Sequence, residues 1–293
     1  MLGKLLKYDL KSVWRIWWIA AVSALGASVI GSFALRFLLS LPNASVAETA
    51  TREISFIFVM SIIFFMLSIV AIIASVIVME ILVYWRFYKH FFSDEGYLTF
   101  TLPVSRKKLL FSKTLNALIW TGAHTVLLTF CAVIFMLIAP PPGPEHGFFN
   151  PIVFQWVGNS ITELFEIFED GWLLVYFFVA LLISLGLVLF SISLIHFCIT
   201  LGAVIAKKHK LFAAIGTYYL ITSVISYVCQ GAIMLFSFFM AGRFMMLMME
   251  LSPNATYFAV LLILLVIACI AAALASMVYF LTLGNLERKL NLE

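Results

Sequence analysis

Six stretches of this chain, near residues 16 to 40, 54 to 85, 109 to 139, 172 to 206, 211 to 240 and 255 to 284, are each apolar over a length that few environments accommodate. A hydrocarbon core roughly 30 Å thick takes about 20 mostly apolar residues in helical form, because a helix satisfies its own backbone hydrogen bonds where water cannot. None of the six shows the ten-residue alternation of a barrel strand. With 64% hydrophobic and 11% charged residues over 293 positions, the chain has more apolar surface than a water-soluble domain of this size can enclose. The expected fold is an all-α integral membrane protein: six transmembrane helices in a single transmembrane domain spanning 1–293.

Cation placement sets the expected orientation. Of the 18 lysines and arginines, only Arg36, Arg52 and Arg243 fall in segments on the side opposite the N-terminus. Lys4, Lys7, Lys11 and Arg15, then Arg86 to Lys113, Lys207 to Lys210, and Arg288 with Lys289 lie on the other side. The positive-inside rule then places both termini in the cytoplasm of a cell-membrane protein, with Glu48, Glu53, Glu145, Glu163, Glu166, Glu169, Asp170 and Glu250 outside. The net charge of +4 is read as topology and contact with anionic lipid, not as a nucleic-acid footprint.

Two segments flank the spans. In residues 1–15, Leu2, Leu5, Leu6, Leu10 and Val13 recur at helical spacing while Lys4, Lys7, Lys11 and Arg15 take another face. This predicts an amphipathic elbow helix on the inner surface before the first span, with a bare topogenic charge cluster as the alternative. The loop 140–171 begins "APPPGPEHG" and then resumes a helical pattern, with Ile152, Trp156, Ile161, Leu164, Phe165 and Phe168 on one broad face. It predicts an interfacial helix, serving either as a lip for cargo or as a cover for helix ends.

Chemistry-bearing patterns are few. No GxxxxGK[ST] phosphate loop occurs, so ATP hydrolysis by that route would belong to another subunit. No catalytic, cofactor-binding or metal-binding residues are assigned. Cys131, Cys198, Cys229 and Cys269 are spread singly over four spans and read as small packing residues. The intramembrane polar candidates are Arg36, Glu80, His124 and His196. Each is either a proton or substrate site or a locally satisfied structural group. Small residues four apart, Ser23, Ala27 and Gly31 beside Ala20, Ala24, Ser28 and Ser32, and again Ala268, Ala272 and Ser276, offer close helix approach. The methionine-rich run 240–250 is read as interfacial filler, with a pliable surface for apolar cargo as the functional alternative.

The loop 86–108, between the second and third spans, follows the aromatic and basic border "YWRFYKHFF". Ser93 or Asp94 can cap a short helix running to Leu102, Pro103 ends it, and Ser105 can cap the next long helix. Here Glu95, Gly96, Tyr97, Leu102, Pro103, Val104, Ser105, Arg106 and Lys113 resemble the inner-loop motif of the type-2 ABC-exporter permeases. Tyr97 departs from the threonine common there. The resemblance implies a coupling helix, with Asp94, Glu95, Gly96, Tyr97, Leu98, Leu102, Pro103, Ser105 and Arg106 docking a separate ABC ATP-binding subunit. That partner, in two copies, would hold the ATP and Mg, and two permease chains would pair as a homo- or heterodimer in a bacterial membrane. The expected function is ATP-driven export of a hydrophobic or amphipathic compound, such as a peptide antibiotic or lipid-like molecule. A non-transporting sensor or immunity subunit and an ion-coupled secondary transporter are the alternatives.

Overall fold

A computed structural model describes residues 2–40, 53–93, 104–139, 171–206 and 208–288, together with the isolated positions 96, 101, 155, 158, 159 and 162. Among the described residues the chain is helical, without strands. The helices are α1 (Leu2–Ser40), α2 (Glu53–Phe92), α3 (Arg106–Ile138), α4 (Gly171–Ile205), α5 (Lys210–Phe239), α6 (Ala241–Glu250) and α7 (Pro253–Arg288). All but α6 contain a stretch long and apolar enough to cross a membrane.

The six expected spans thus lie inside six long helices, but two of those helices extend well past their apolar cores. α1 runs unbroken through 39 residues, roughly 58 Å at 1.5 Å per residue, so no turn separates residues 2–15 from the span that follows. α2 continues past residue 85 to Phe92. Neither extension contains proline, and nothing in their sequence breaks the backbone ladder where hydrophobicity falls.

The chain divides into two compact units, one of residues 3–85 and 119–166, the other of residues 1–2, 86–118 and 167–293. In the first, α1 and the later part of α3 run parallel. Trp17 meets Trp120, Ala21 and Ala24 pack with Leu127 and Cys131, and Gly31 lies against Phe135, so residue numbers rise together on both helices. The buried stripe of α1 is Ala20, Ala24, Ser28 and Ser32, with Ala21 and Gly31 beside it, whereas Ser23 is exposed. A Cβ on Gly31 would collide with the Ser68 side chain of α2 and the Phe135 ring, so hydrogen at this position lets the helices close. Ser61, Ser68 and Ser75 recur every seven residues on α2, all buried, each donating to a carbonyl of its own helix. A hydroxyl satisfied in this way needs no partner from lipid.

In the second unit α4 packs between α5 and α7. Tyr176 donates to the Tyr257 carbonyl at 2.6 Å and Gly186 lies on Ala271, which makes α4 and α7 parallel. The small face of α7 is Ala271 and Ala275, one residue earlier than the spacing of Ala272 and Ser276 suggests. α4 and α5 form an antiparallel hairpin: Gly202 sits on the backbone of Ala214, and the Thr217 hydroxyl donates to the Cys198 carbonyl at 3.2 Å. Cys131 and Cys198 are buried free thiols in this packing, while Cys229 and Cys269 are exposed.

Candidate functional site

The loop between α2 and α3 is described in part. Asp94, Glu95, Tyr97, Leu98, Leu102 and Pro103 lie outside the described residues, as does most of the loop 140–171. Within that second loop, the Thr162 hydroxyl donates to the carbonyls of Gly158 and Asn159, the reach of a single helical turn.

Of the nine docking candidates, Gly96, Ser105 and Arg106 are described. Gly96 is buried, and its N–H donates to the Ser93 carbonyl at 2.7 Å. A side chain there would meet the Phe91 carbonyl oxygen at 2.7 Å, so the motif glycine lets the chain fold back on the end of α2. Ser105 accepts at its carbonyl from the N–H groups of Lys108 and Leu109, which places it at the N-terminal boundary of α3, where the sequence puts a cap. Arg106, the first residue of α3, donates from its guanidinium to the carbonyls of Leu286 and, at 3.1 Å, Glu287. These are among the last carbonyls of α7, which have no acceptor role inside their own helix. A cation there also meets the negative end of the helix dipole, an effect of about 0.3–1 kcal/mol at a surface site. Arg106 therefore ties the loop's exit to the end of the last span.

The intramembrane candidates separate by environment. Arg36 donates to the Ile138 carbonyl at 3.4 Å, again at a helix C-terminus and not at mid-span. The Glu80 carboxylate accepts a hydrogen bond from Tyr84, one turn further along α2. His196 is fully buried and stacks on Phe87, with ring centroids 3.9 Å apart and planes 17° apart. His124 is also buried, and neither of its ring nitrogens has a hydrogen-bond partner among the described residues. Arg36, Glu80 and His196 thus each meet a different neighbour, Ile138, Tyr84 and Phe87. Among the described residues no group of three or more His, Cys, Asp or Glu could hold a metal ion.

Two features escape a search for charged or catalytic residues. The first is α5, whose most apolar window has none of its residues buried. Tyr219, Ser223, Ser226 and Gln230 are exposed and follow one another at spacings of four, three and four, so they share one face. A shallow hollow of about 400 Å³ lies on it, lined by Thr222, Ser223, Ser226 and Tyr227. Ala214 and Thr217, which touch α4, lie on a different side of the helix. The heptad-like spacing of small polar residues was legible in the sequence; its exposure was not.

The second feature is an indole cluster: Trp17 lies 5.4 Å from Trp120 and from Trp18, and Trp14 lies 5.9 Å from Trp17. Trp120 is buried, and Trp14 and Trp18 are exposed.

These features define the class: a multi-pass helical membrane protein with a glycine-dependent fold-back between its second and third spans and a polar, uncovered fifth span. The chain matches no family model, no curated protein and no solved structure.

Proposed function

We propose that the chain is the permease subunit of an ATP-driven ABC exporter, worked by a separate ATP-binding subunit that grips the loop 86–108. The observation that carries this reading is the bond from Arg106 to the end carbonyls of α7. The loop is continuous with α2 through the Gly96 fold-back and with α3 through Ser105, and Arg106 adds α7. A displacement applied to residues 94–106 would therefore act on three long helices at once. A segment so tied suits the coupling helix that the sequence resemblance implies, with both termini and this loop in the cytoplasm.

The polar face of α5 supports the other half of the proposal, a second permease chain. Hydroxyl and amide side chains inside a span face protein or water in preference to lipid, and interhelical hydrogen bonds between them contribute about 0.6 kcal/mol each on average. Two chains meeting along Ser223, Ser226 and Gln230 would bury that face and border a path for an amphipathic cargo. ATP and Mg would reside on the partner subunits.

The test is to express the chain with its candidate ATPase, exchange Tyr97 and Leu102 for charged residues, and measure ATPase co-purification and transport. Loss of both is expected. Full association with full transport defeats the docking claim. Ser226→Cys should give a chain-to-chain disulfide under oxidation, while Val224→Cys, on another side of α5, should not.

A further inference from the structure

The seam between α1 and α3 contains a surplus of hydrogen-bond donors. The indole Nε1 atoms of Trp17 and Trp120 and both ring nitrogens of His124 are buried without a partner among the described residues. Trp120 is 4% exposed and His124 5% exposed, and they stand one turn apart on the same face of α3. Trp17 faces Trp120 across the seam at 5.4 Å. The contacts of Ala24 with Leu127 and Cys131 close the seam beyond His124, and Ala21 and Ala24 form its opposite wall.

An inventory of these groups decides what they need. Indole nitrogen only donates; a neutral imidazole has one donor and one acceptor nitrogen. The three side chains therefore present three N–H donors and a single acceptor. Even if His124 accepts from one indole, the other indole and the imidazole N–H must find an oxygen that none of the three can provide, and the buried amide oxygen of Asn116, one turn before Trp120 on α3, makes no hydrogen bond to either indole or to His124. Leaving such groups bare in an apolar interior is unfavourable, because each gives up the hydrogen bond it made with water and gains none in return. A fixed anion is the poorer match, since Arg15, the nearest cation along α1, is exposed and not buried in the seam.

We propose that Trp17, Trp120 and His124 form a buried receptor for one neutral oxygen acceptor, which joins α1 to α3. A neutral oxygen has two lone pairs, enough to accept from two of the donors at once. Two sources share this chemistry: a water held in the seam, which could also donate to the acceptor nitrogen of His124, and the ester carbonyl of an acyl lipid. The second would enter past Trp14 and Trp18, which are 51% and 45% exposed and continue the aromatic surface outward from Trp17.

The experiment uses the full chain with ¹⁵N-labelled tryptophan in nanodiscs, prepared once with a diester and once with a diether phosphatidylcholine. The indole signals are assigned by Trp17→Phe and Trp120→Phe. Both N–H protons are expected downfield of a non-bonded indole. If they stay so in both lipids, with transfer of magnetisation from long-lived water, the acceptor is water. If they do so only in the diester lipid, with transfer from glycerol protons, it is the ester carbonyl. His124→Leu should move at least one indole proton upfield, and His124→Gln, which keeps a donor and an acceptor, should return it. Wild-type indole protons of Trp17 and Trp120 at the non-bonded position in both lipids overturn the proposal.

Discussion

The two units solve the same problems with different completeness. Each has a histidine buried within a membrane-crossing helix and an arginine on the C-terminal carbonyls of another helix. In the unit of residues 86–118 and 167–293, His196 is covered by Phe87 face to face, and Arg106 reaches two carbonyls. In the unit of residues 3–85 and 119–166, His124 has no ring stacked on it among the described residues, and Arg36 reaches Ile138 at 3.4 Å, at the edge of hydrogen-bonding distance. Both also use a glycine to bring helices together, Gly202 on Ala214 and Gly31 on Ser68. The residue type is shared; what surrounds it decides whether it is a fixed structural part or a group awaiting a partner.

The comparison breaks most sharply at the histidines. Phe87→Ala removes a fully buried ring stacked on His196 and should cost about 3–5 kcal/mol, read as a large fall in unfolding midpoint in detergent. His124→Leu exchanges an unpartnered buried group for an apolar one of similar volume. Without the proposed acceptor it should be neutral or stabilising; with it, destabilising by about 1–3 kcal/mol. The same thermal assay therefore sharpens the contrast between the units.

Next in size is Gly202→Ala. Its methyl group would press on the Ala214 backbone, which cannot swing aside as a side chain can, and a loss of about 1–3 kcal/mol is expected. At Gly31 a rotamer change of Ser68 moves its Oγ but not its Cβ, which would lie 2.7 Å from the new methyl, so the same substitution should cost a comparable amount, and a much smaller loss would show that α2 gives way there. Smallest are the arginines. Arg106→Ala should cost about 1 kcal/mol and Arg36→Ala no more than a few tenths, with both effects reduced by salt. The reverse order would show that hydrogen-bond length is a poor guide to these caps.

Much of the fold was legible in the sequence. Each of the six apolar runs falls within one long helix, and Ser105 stands at the N-terminal boundary of α3, where its residue type suggests a cap. What escaped was of a different kind. Nothing local distinguishes His124 from His196, because the distinction lies in Phe87, more than a hundred residues from one of them. The grip of Arg106 on Leu286 and Glu287 was invisible for the same reason, since it joins the two ends of a long loop in the chain. The small-residue stripe on α1 shifted away from Ser23, and that on α7 moved by one residue, because several spacings of small residues coexist there and only the partner helix selects one.

The sequence by itself determined that this protein is helical and lives in a membrane, because apolar length and self-satisfied backbone hydrogen bonds are properties of each segment alone. The tertiary structure decided which face of each helix is covered, which histidine is stacked on a ring and which helix end receives an arginine. Those outcomes depend on side chains remote in sequence meeting across a seam, where a single Cβ or a missing hydrogen-bond acceptor changes the result.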